Sequence, residues 1–212
     1  MIVTNDQVQA VGPVVATRNQ VTNVFALNPS YRKKIFVVDN FYQNPDAVRE
    51  TALQARYIED NRWYKGKRSE LTYRDQSIKS AFESIIGQSI TKWDEYETNG
   101  KFQYCTPEDL LVYHCDLQVW AAMIYLTPNA PYDTGTSFYA HRETGIRSSQ
   151  DPDHGRAFSG GFYDKTRFDL VDTVGNIYNR LVIFDSHSIH AAAGYFGTQL
   201  HNSRLFQIFF FD

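Results

Sequence analysis

Apolar positions change their period partway along the chain. Up to residue 31 polar and apolar residues mix without a period, which predicts an extended N-terminal arm or an edge segment. Ile35-Phe36-Val37-Val38-Asp39-Asn40-Phe41 begins as an apolar run and predicts a first strand. Asn44-Pro45-Asp46 follows, with a capping side chain and a proline suited to the first helical position. A helix is therefore expected over about 45–57, with Val48, Ala52 and Leu53 on one side. Tyr64-Lys65-Gly66-Lys67-Arg68-Ser69 predicts a basic turn. Ile78, Phe82, Ile85 and Ile86 recur at helical spacing and predict a second helix over about 76–90.

From about residue 99 the pattern is that of strands and turns. The segments 99–105, 110–116, 118–126, 136–141, 169–174, 177–184, 189–196 and 203–211 are each expected to be strands. Turn residues separate them, among them Pro128, Pro131, Gly135, Gly160-Gly161, Gly175-Asn176 and Gly197. Two helices followed by many short strands predict a mainly β, α+β chain, in which a jelly-roll core carries helices on one face. The expected organisation is a single domain over 1–212. It comprises the arm 1–31, a strand with supporting helices over 32–98, and a β core over 99–212. The stretch 142–168 is rich in Arg, Asp, Ser and Gly and too long for a simple connection, so a lid or binding loop is expected there.

Composition sharpens this picture. With 15 Phe and 14 Tyr among 212 residues, the chain favours sheets over helices. A net charge of −3 lacks the basic footprint of a nucleic-acid binder, so no nucleic-acid partner is expected. No apolar run approaches the ~20 residues of a membrane helix, and Met1–Val11 carries neither a basic head nor an apolar stretch. Cys105 and Cys115 are too few for a disulfide framework. A reduced, cytoplasmic protein is expected.

The sharpest local chemistry is His114-Cys115-Asp116. Residues two apart on a strand share a face, so the imidazole and the carboxylate converge while Cys115 points into the core. A histidine and a carboxylate on one rigid segment supply two of the three ligands of a facial triad. The third must come from elsewhere in the chain. His141, His154 and His201 stand in contexts that suit ordinary polar roles. His187 and His190 follow the apolar strand Leu181–Phe184 and are three apart, so in an extended segment only one of them faces inward. His190 is favoured, because Ala191-Ala192-Ala193 leaves room beside it whereas His187 falls in a predicted turn.

The sequence also resembles the iron(II)/2-oxoglutarate oxygenases of the prolyl-4-hydroxylase type. The resemblance runs over Tyr104, His114-Cys115-Asp116, Trp120–Leu126, Gly135-Thr136-Ser137-Phe138, Arg180–Phe184, His190 and Arg204. Val37–Phe41 with Asn44-Pro45-Asp46, and Tyr64–Arg68, are similar to an uncharacterised bacterial and phage-type branch of that superfamily. The resemblance implies a double-stranded β-helix, iron(II) held by His114, Asp116 and His190, and 2-oxoglutarate as co-substrate. Ascorbate would serve as reductant in vitro. It further implies dioxygen and a protein, peptide or small amino-acid-like substrate, with succinate and carbon dioxide as co-products. Arg204 would bind the co-substrate, with Tyr125, Tyr104 and Thr136 as further contacts.

Arg204 stands out physically as well. It alternates with Phe206, Ile208 and Phe210, so its guanidinium faces inward, where a buried cation needs an anionic partner. Tyr125 shares a face with Ala121 and Met123, small or flexible neighbours beside one hydroxyl. The same barrel without oxygen chemistry, a cupin-like metal-binding or scaffold protein, is the alternative.

Overall fold

In the computed structural model, residues 22–24, 35–59 and 65–212 are described. The arm over 1–31, apart from Thr22–Val24, and Tyr64 of the basic turn lie outside them. Helix α1 (Pro45–Gln54) starts where Asn44 accepts a hydrogen bond from the amide of Ala47 and Pro45 takes the first turn. It stops short of the expected residue 57 because Ala55 is already extended. Helix α2 (Gln76–Ile86) is capped by the Asp75 carboxylate, which accepts from the amides of Ser77 and Ile78. Gly87, left-handed at φ 74°, ends it before residue 90.

Eleven strands are present among the described residues: β1 (Thr22–Val24), β2 (Ile35–Val38), β3 (Tyr57–Glu59), β4 (Lys67–Ser69), β5 (Lys101–Cys105), β6 (Trp120–Tyr125), β7 (Thr136–His141), β8 (Phe168–Val174), β9 (Leu181–Asp185), β10 (His190–Ala192) and β11 (Arg204–Phe211). They form an eight-stranded antiparallel sheet in the order β1-β2-β9-β6-β11-β5-β4-β3 and a three-stranded one in the order β10-β7-β8. Among the described residues the fold is thus mainly β with two α-helices, as composition and periodicity predict.

Four expected elements differ. Residues 110–116 form no strand, and only His114 pairs, in an isolated bridge to His190. The basic turn instead contains β4, because its end pairs with β3 and β5. The segment 177–184 becomes a strand only from Leu181, after a turn in which Asn179 takes a φ of 61°. The segment 189–196 is regular only over His190–Ala192.

Side-chain parity decides what each face of the large sheet covers. Phe36, Phe102, Ala122, Ile183 and Phe209 point to one face, where Val48, Ala52, Ile78 and Phe82 of the helices meet them. Alternate residues on the same strands, among them Ile35, Cys105, Met123, Val182 and Phe206, point to the other face, where they meet Phe138 of β7. Both faces are therefore covered, which explains why β6, Leu181–Phe184 of β9 and Ile208–Phe211 of β11 read as apolar runs without polar alternation. The irregular stretch 142–168 packs Ile146 and Ala157 with Tyr139 of β7 and Phe168 of β8, in a third cluster that also holds Tyr113. Among the described residues no helix is long and apolar enough to cross a membrane.

Phe82 is the hub of the helix-side core, with its ring 5.7 Å from Phe41, 5.9 Å from Trp93 and 5.1 Å from Phe209. Phe82→Ala is expected to lower stability by about 3–5 kcal/mol, read as a fall in the denaturation midpoint at unchanged slope.

Candidate metal centre

Two separate segments build the centre. His190 opens β10 and sits opposite Phe138, while His114 lies in irregular chain and pairs with His190 through two backbone hydrogen bonds of 3.0 and 2.9 Å. The Asp116 amide donates to the Ser186 carbonyl at 2.9 Å, which holds the carboxylate beside the same turn. One ligand atom from each of His114, Asp116 and His190 lies within 4.8 Å of the other two. Nε2 of His114 is 3.5 Å from Oδ1 of Asp116, and Nε2 of His190 is 3.3 Å from Oδ2.

Hydrogen bonding determines what these atoms offer. Nδ1 of His114 is 2.9 Å from the Val112 carbonyl, and Nδ1 of His190 is 2.8 Å from the Ser188 carbonyl. A carbonyl only accepts, so each Nδ1 carries the proton and each neutral ring presents a bare Nε2 lone pair. Asp116 Oδ2 is buried and makes no hydrogen bond. Two imidazole lone pairs and a carboxylate thus face one another with no donor between them. That arrangement is unfavourable by itself, and a divalent cation satisfies all three groups at once. Two histidines and one carboxylate suit such an ion, and the carbonyls behind the rings fix the tautomers as outer-shell partners do in metal sites.

Burial favours the neutral ring at His114. It titrates below the ordinary histidine value, chiefly through burial and then through His190 whenever that ring is charged. Part of the His114 side chain is open, but it opens into a cavity rather than onto the outer surface. Burial works to raise the Asp116 pKa, yet the imidazoles lower it when they carry a second proton, His114 through its charge and His190 through a side-chain hydrogen bond and its charge. The Arg68 charge also acts on both groups in the same direction. Cys115, between the two ligands, packs towards the outer cluster with its thiol pushed up to about 12 by burial.

The other histidines stand apart. His187 turns its Nδ1 to Asp185 at 3.0 Å. His141 is held between Thr144 and Arg167, and His154 and His201 are exposed.

The centre opens on a cavity of about 440 Å³ between the two sheets. Arg204 lines it, buried to 2% exposure. Its Nε donates to the Thr134 carbonyl at 2.7 Å and its Nη2 to the Gly135 carbonyl at 3.1 Å, while the guanidinium lies 4.6 Å from the Phe206 ring. Among the described residues no carboxylate forms an ion pair with Arg204. Thr136 also lines the cavity and shares a 2.8 Å hydrogen bond with the Tyr125 hydroxyl beside Arg204.

Tyr104 does not join this group. In the β5–β11 register it pairs with Leu205, on the helix-facing side, and its ring packs on Tyr57. Period-two alternation brings Gln103 and Cys105 to the cavity in its place. Sequence reading passed over Gln103 and Tyr195. The parity of Cys105 opposite Arg204 marks Gln103 once the register is known, whereas nothing local marks Tyr195.

Two outcomes follow from this geometry. In the metal-free protein, the His114 ring is expected to titrate below about 6.5, followed by ring-nitrogen NMR shifts, so the bare Nε2 persists where a free histidine is half protonated. His190→Ala should weaken Co(II) binding by more than the roughly 10–100-fold that loss of an outer-shell partner costs, while His187→Ala should leave it near wild type, as read by absorption titration.

No curated protein sequence matches this chain. Among solved structures, a Pseudomonas putida prolyl-4-hydroxylase is similar at 13% identity and a TM-score of 0.36, over 84% of this chain and 87% of that one. Residues 22–201 match a family described as a family of unknown function, DUF6445. That match spans most of the length, and the chain belongs to the DUF6445 family.

Proposed function

We propose that this chain is an iron(II)- and 2-oxoglutarate-dependent oxygenase that hydroxylates a C–H bond, built on a double-stranded β-helix formed by its two sheets. One observation carries the reading. A single cavity is lined both by three mutually facing side chains of metal-ligand type and by a buried guanidinium that no carboxylate of the described chain neutralises. An uncompensated buried cation costs several kcal/mol, so Arg204 calls for an anionic ligand, and the triad calls for a divalent ion. A dicarboxylate that chelates the ion at one end and meets a guanidinium at the other answers both demands.

His114, Asp116 and His190 would hold the iron, with the Val112 and Ser188 carbonyls keeping each Nε2 turned towards it. Bound iron would supply the activation of dioxygen that couples conversion of 2-oxoglutarate into succinate and carbon dioxide to oxidation of the second substrate. Arg204 would bind the distal carboxylate in fork geometry. The Thr134 and Gly135 carbonyls and the Phe206 ring fix its guanidinium, so little side-chain freedom is lost on binding. Thr136 and Tyr125 add hydroxyl groups beside it. Phe184, Phe206, Ile208 and Phe210 give the cavity apolar walls that limit water at the reacting groups.

The test is an anaerobic titration of iron(II) and 2-oxoglutarate into the metal-free protein, followed by the visible metal-to-ligand charge-transfer band. Wild type is expected to develop the band and His190→Ala to lose it. Arg204→Gln should weaken 2-oxoglutarate binding by roughly 10- to 100-fold, the scale of a lost charge-assisted hydrogen-bond pair. Metal binding without a band in wild type would overturn the oxygenase reading in favour of a metal-binding cupin-like role.

A further inference from the structure

Three cationic side chains line the cavity. Lys65, Arg68 and Arg204 all line it, and Asp116 is the one acidic side chain among its described lining residues. Arg204 is engaged deep in the wall by Thr134 and Gly135, whereas Lys65 and Arg68 come from a different part of the fold, the turn into β4 and the strand itself.

Those two cations are built into place. The Gln103 side chain, buried in β5, accepts from Arg68 Nε at 2.7 Å through Oε1 and donates to the Lys65 carbonyl at 2.8 Å through Nε2. Asp109 accepts from the Gly66 amide at 2.9 Å and closes the same turn. A buried amide thus uses both of its ends to set one cationic side chain and the backbone of the other. Lys65 also lies 5.7 Å from the Tyr163 ring, and the neighbouring Phe162 carbonyl accepts from the Tyr113 amide, one residue before the first metal ligand. The long loop, the basic turn and the metal segment therefore meet at one side of the cavity.

We propose that Arg68 and Lys65, set by Gln103, form a second anion-binding subsite, separate from Arg204, and that it takes an oxyanion group of the molecule to be oxidised. The substrate is then a small acid, a carboxylate or a phosphate, with an apolar portion lying against Phe184 and Phe162 beside the metal centre. A cavity of about 440 Å³ falls within the ~300–1,000 Å³ of small-molecule sites and holds a co-substrate with a compact second molecule. The substrate class rests on the oxygenase reading, but the existence of the subsite does not.

The experiment uses zinc-loaded protein, which does not turn over, with and without saturating 2-oxoglutarate. The probes are short straight-chain monocarboxylic acids, each beside its primary amide, and the matching alkyl phosphates, with affinities read by ligand-observed NMR. Wild type should bind at least one acid or phosphate about tenfold more tightly than the uncharged partner. Whichever oxyanion binds more tightly names the group. The preference should collapse in Arg68→Gln, persist in Arg68→Lys and weaken in Lys65→Gln, while 2-oxoglutarate affinity stays unchanged in all three. Absence of any oxyanion preference in wild type, or a preference untouched by Arg68→Gln, would overturn the inference. So would loss of 2-oxoglutarate binding in Arg68→Gln, which would assign Arg68 to the co-substrate. If wild type binds no 2-oxoglutarate, the oxygenase reading fails separately, and the ratios measured without it still decide the subsite.

Discussion

Three acceptor groups held face to face without a donor between them form the constraint around which the rest of this protein is organised. Neutral imidazoles at His114 and His190 and the carboxylate of Asp116 stand within 4.8 Å of one another, each ring turned by a carbonyl behind it. Such a cluster persists in a fold only where the surrounding structure imposes it. Here the imposition comes from the paired backbones of His114 and His190 and from the bond of Asp116 to Ser186, all made by main-chain groups. The large sheet supplies the rigidity behind them. It is covered by helices on one face and by the small sheet on the other, and its central strands β6, β9 and β11 are buried on both faces, which specifies their register.

The same burial shapes the electrostatics of the cavity. Apolar walls from β9 and β11 lower the local dielectric, so the charges left inside act strongly on one another. Arg204 is tolerated at 2% exposure because two carbonyls and two aromatic faces solvate it, yet none of these neutralises it. Arg68 and Lys65 add charge from the sheet edge, with Gln103 holding both. The cavity is therefore prepared for a cation at the triad and for anions around it, a separation of charge that a chelating dicarboxylate and an acidic substrate would both exploit. Cys105 takes no part as an anion, since burial pushes its thiol up to about 11.

Much of this was legible residue by residue. The spacing of His114-x-Asp116 puts an imidazole and a carboxylate on one face, and the odd separation of His187 and His190 leaves one of them inside. The alternation of Arg204 with Phe206, Ile208 and Phe210 places the guanidinium inward, where it is found. These inferences depend on side-chain direction along an extended chain, which has period two and needs no partner strand. The expectation for Tyr104 needed more. The resemblance to the prolyl-4-hydroxylase type suggested it, but its face depends on the pairing of β5 with β11, and that register turns it to the helices. The expected strand over 110–116 failed for a related reason. Only His114 finds a strand partner there, while Tyr113 and Asp116 bond to the long loop and to the turn at Ser186.

By itself, then, the sequence determined the mainly β character, the two helices with their caps, the convergence of His114 and Asp116 as candidate ligands and the inward guanidinium. Each of these follows from local periodicity or from chemistry within a few residues. The tertiary structure alone decided that His190 pairs with His114 across a gap of 76 residues. It also decided that Gln103 and Tyr195 line the cavity while Tyr104 does not, and that Lys65 and Arg68 share that cavity with the metal donors. Contacts of this kind are set by strand register and by which sheet faces which. Those are properties of pairs of distant segments, and no single segment carries them.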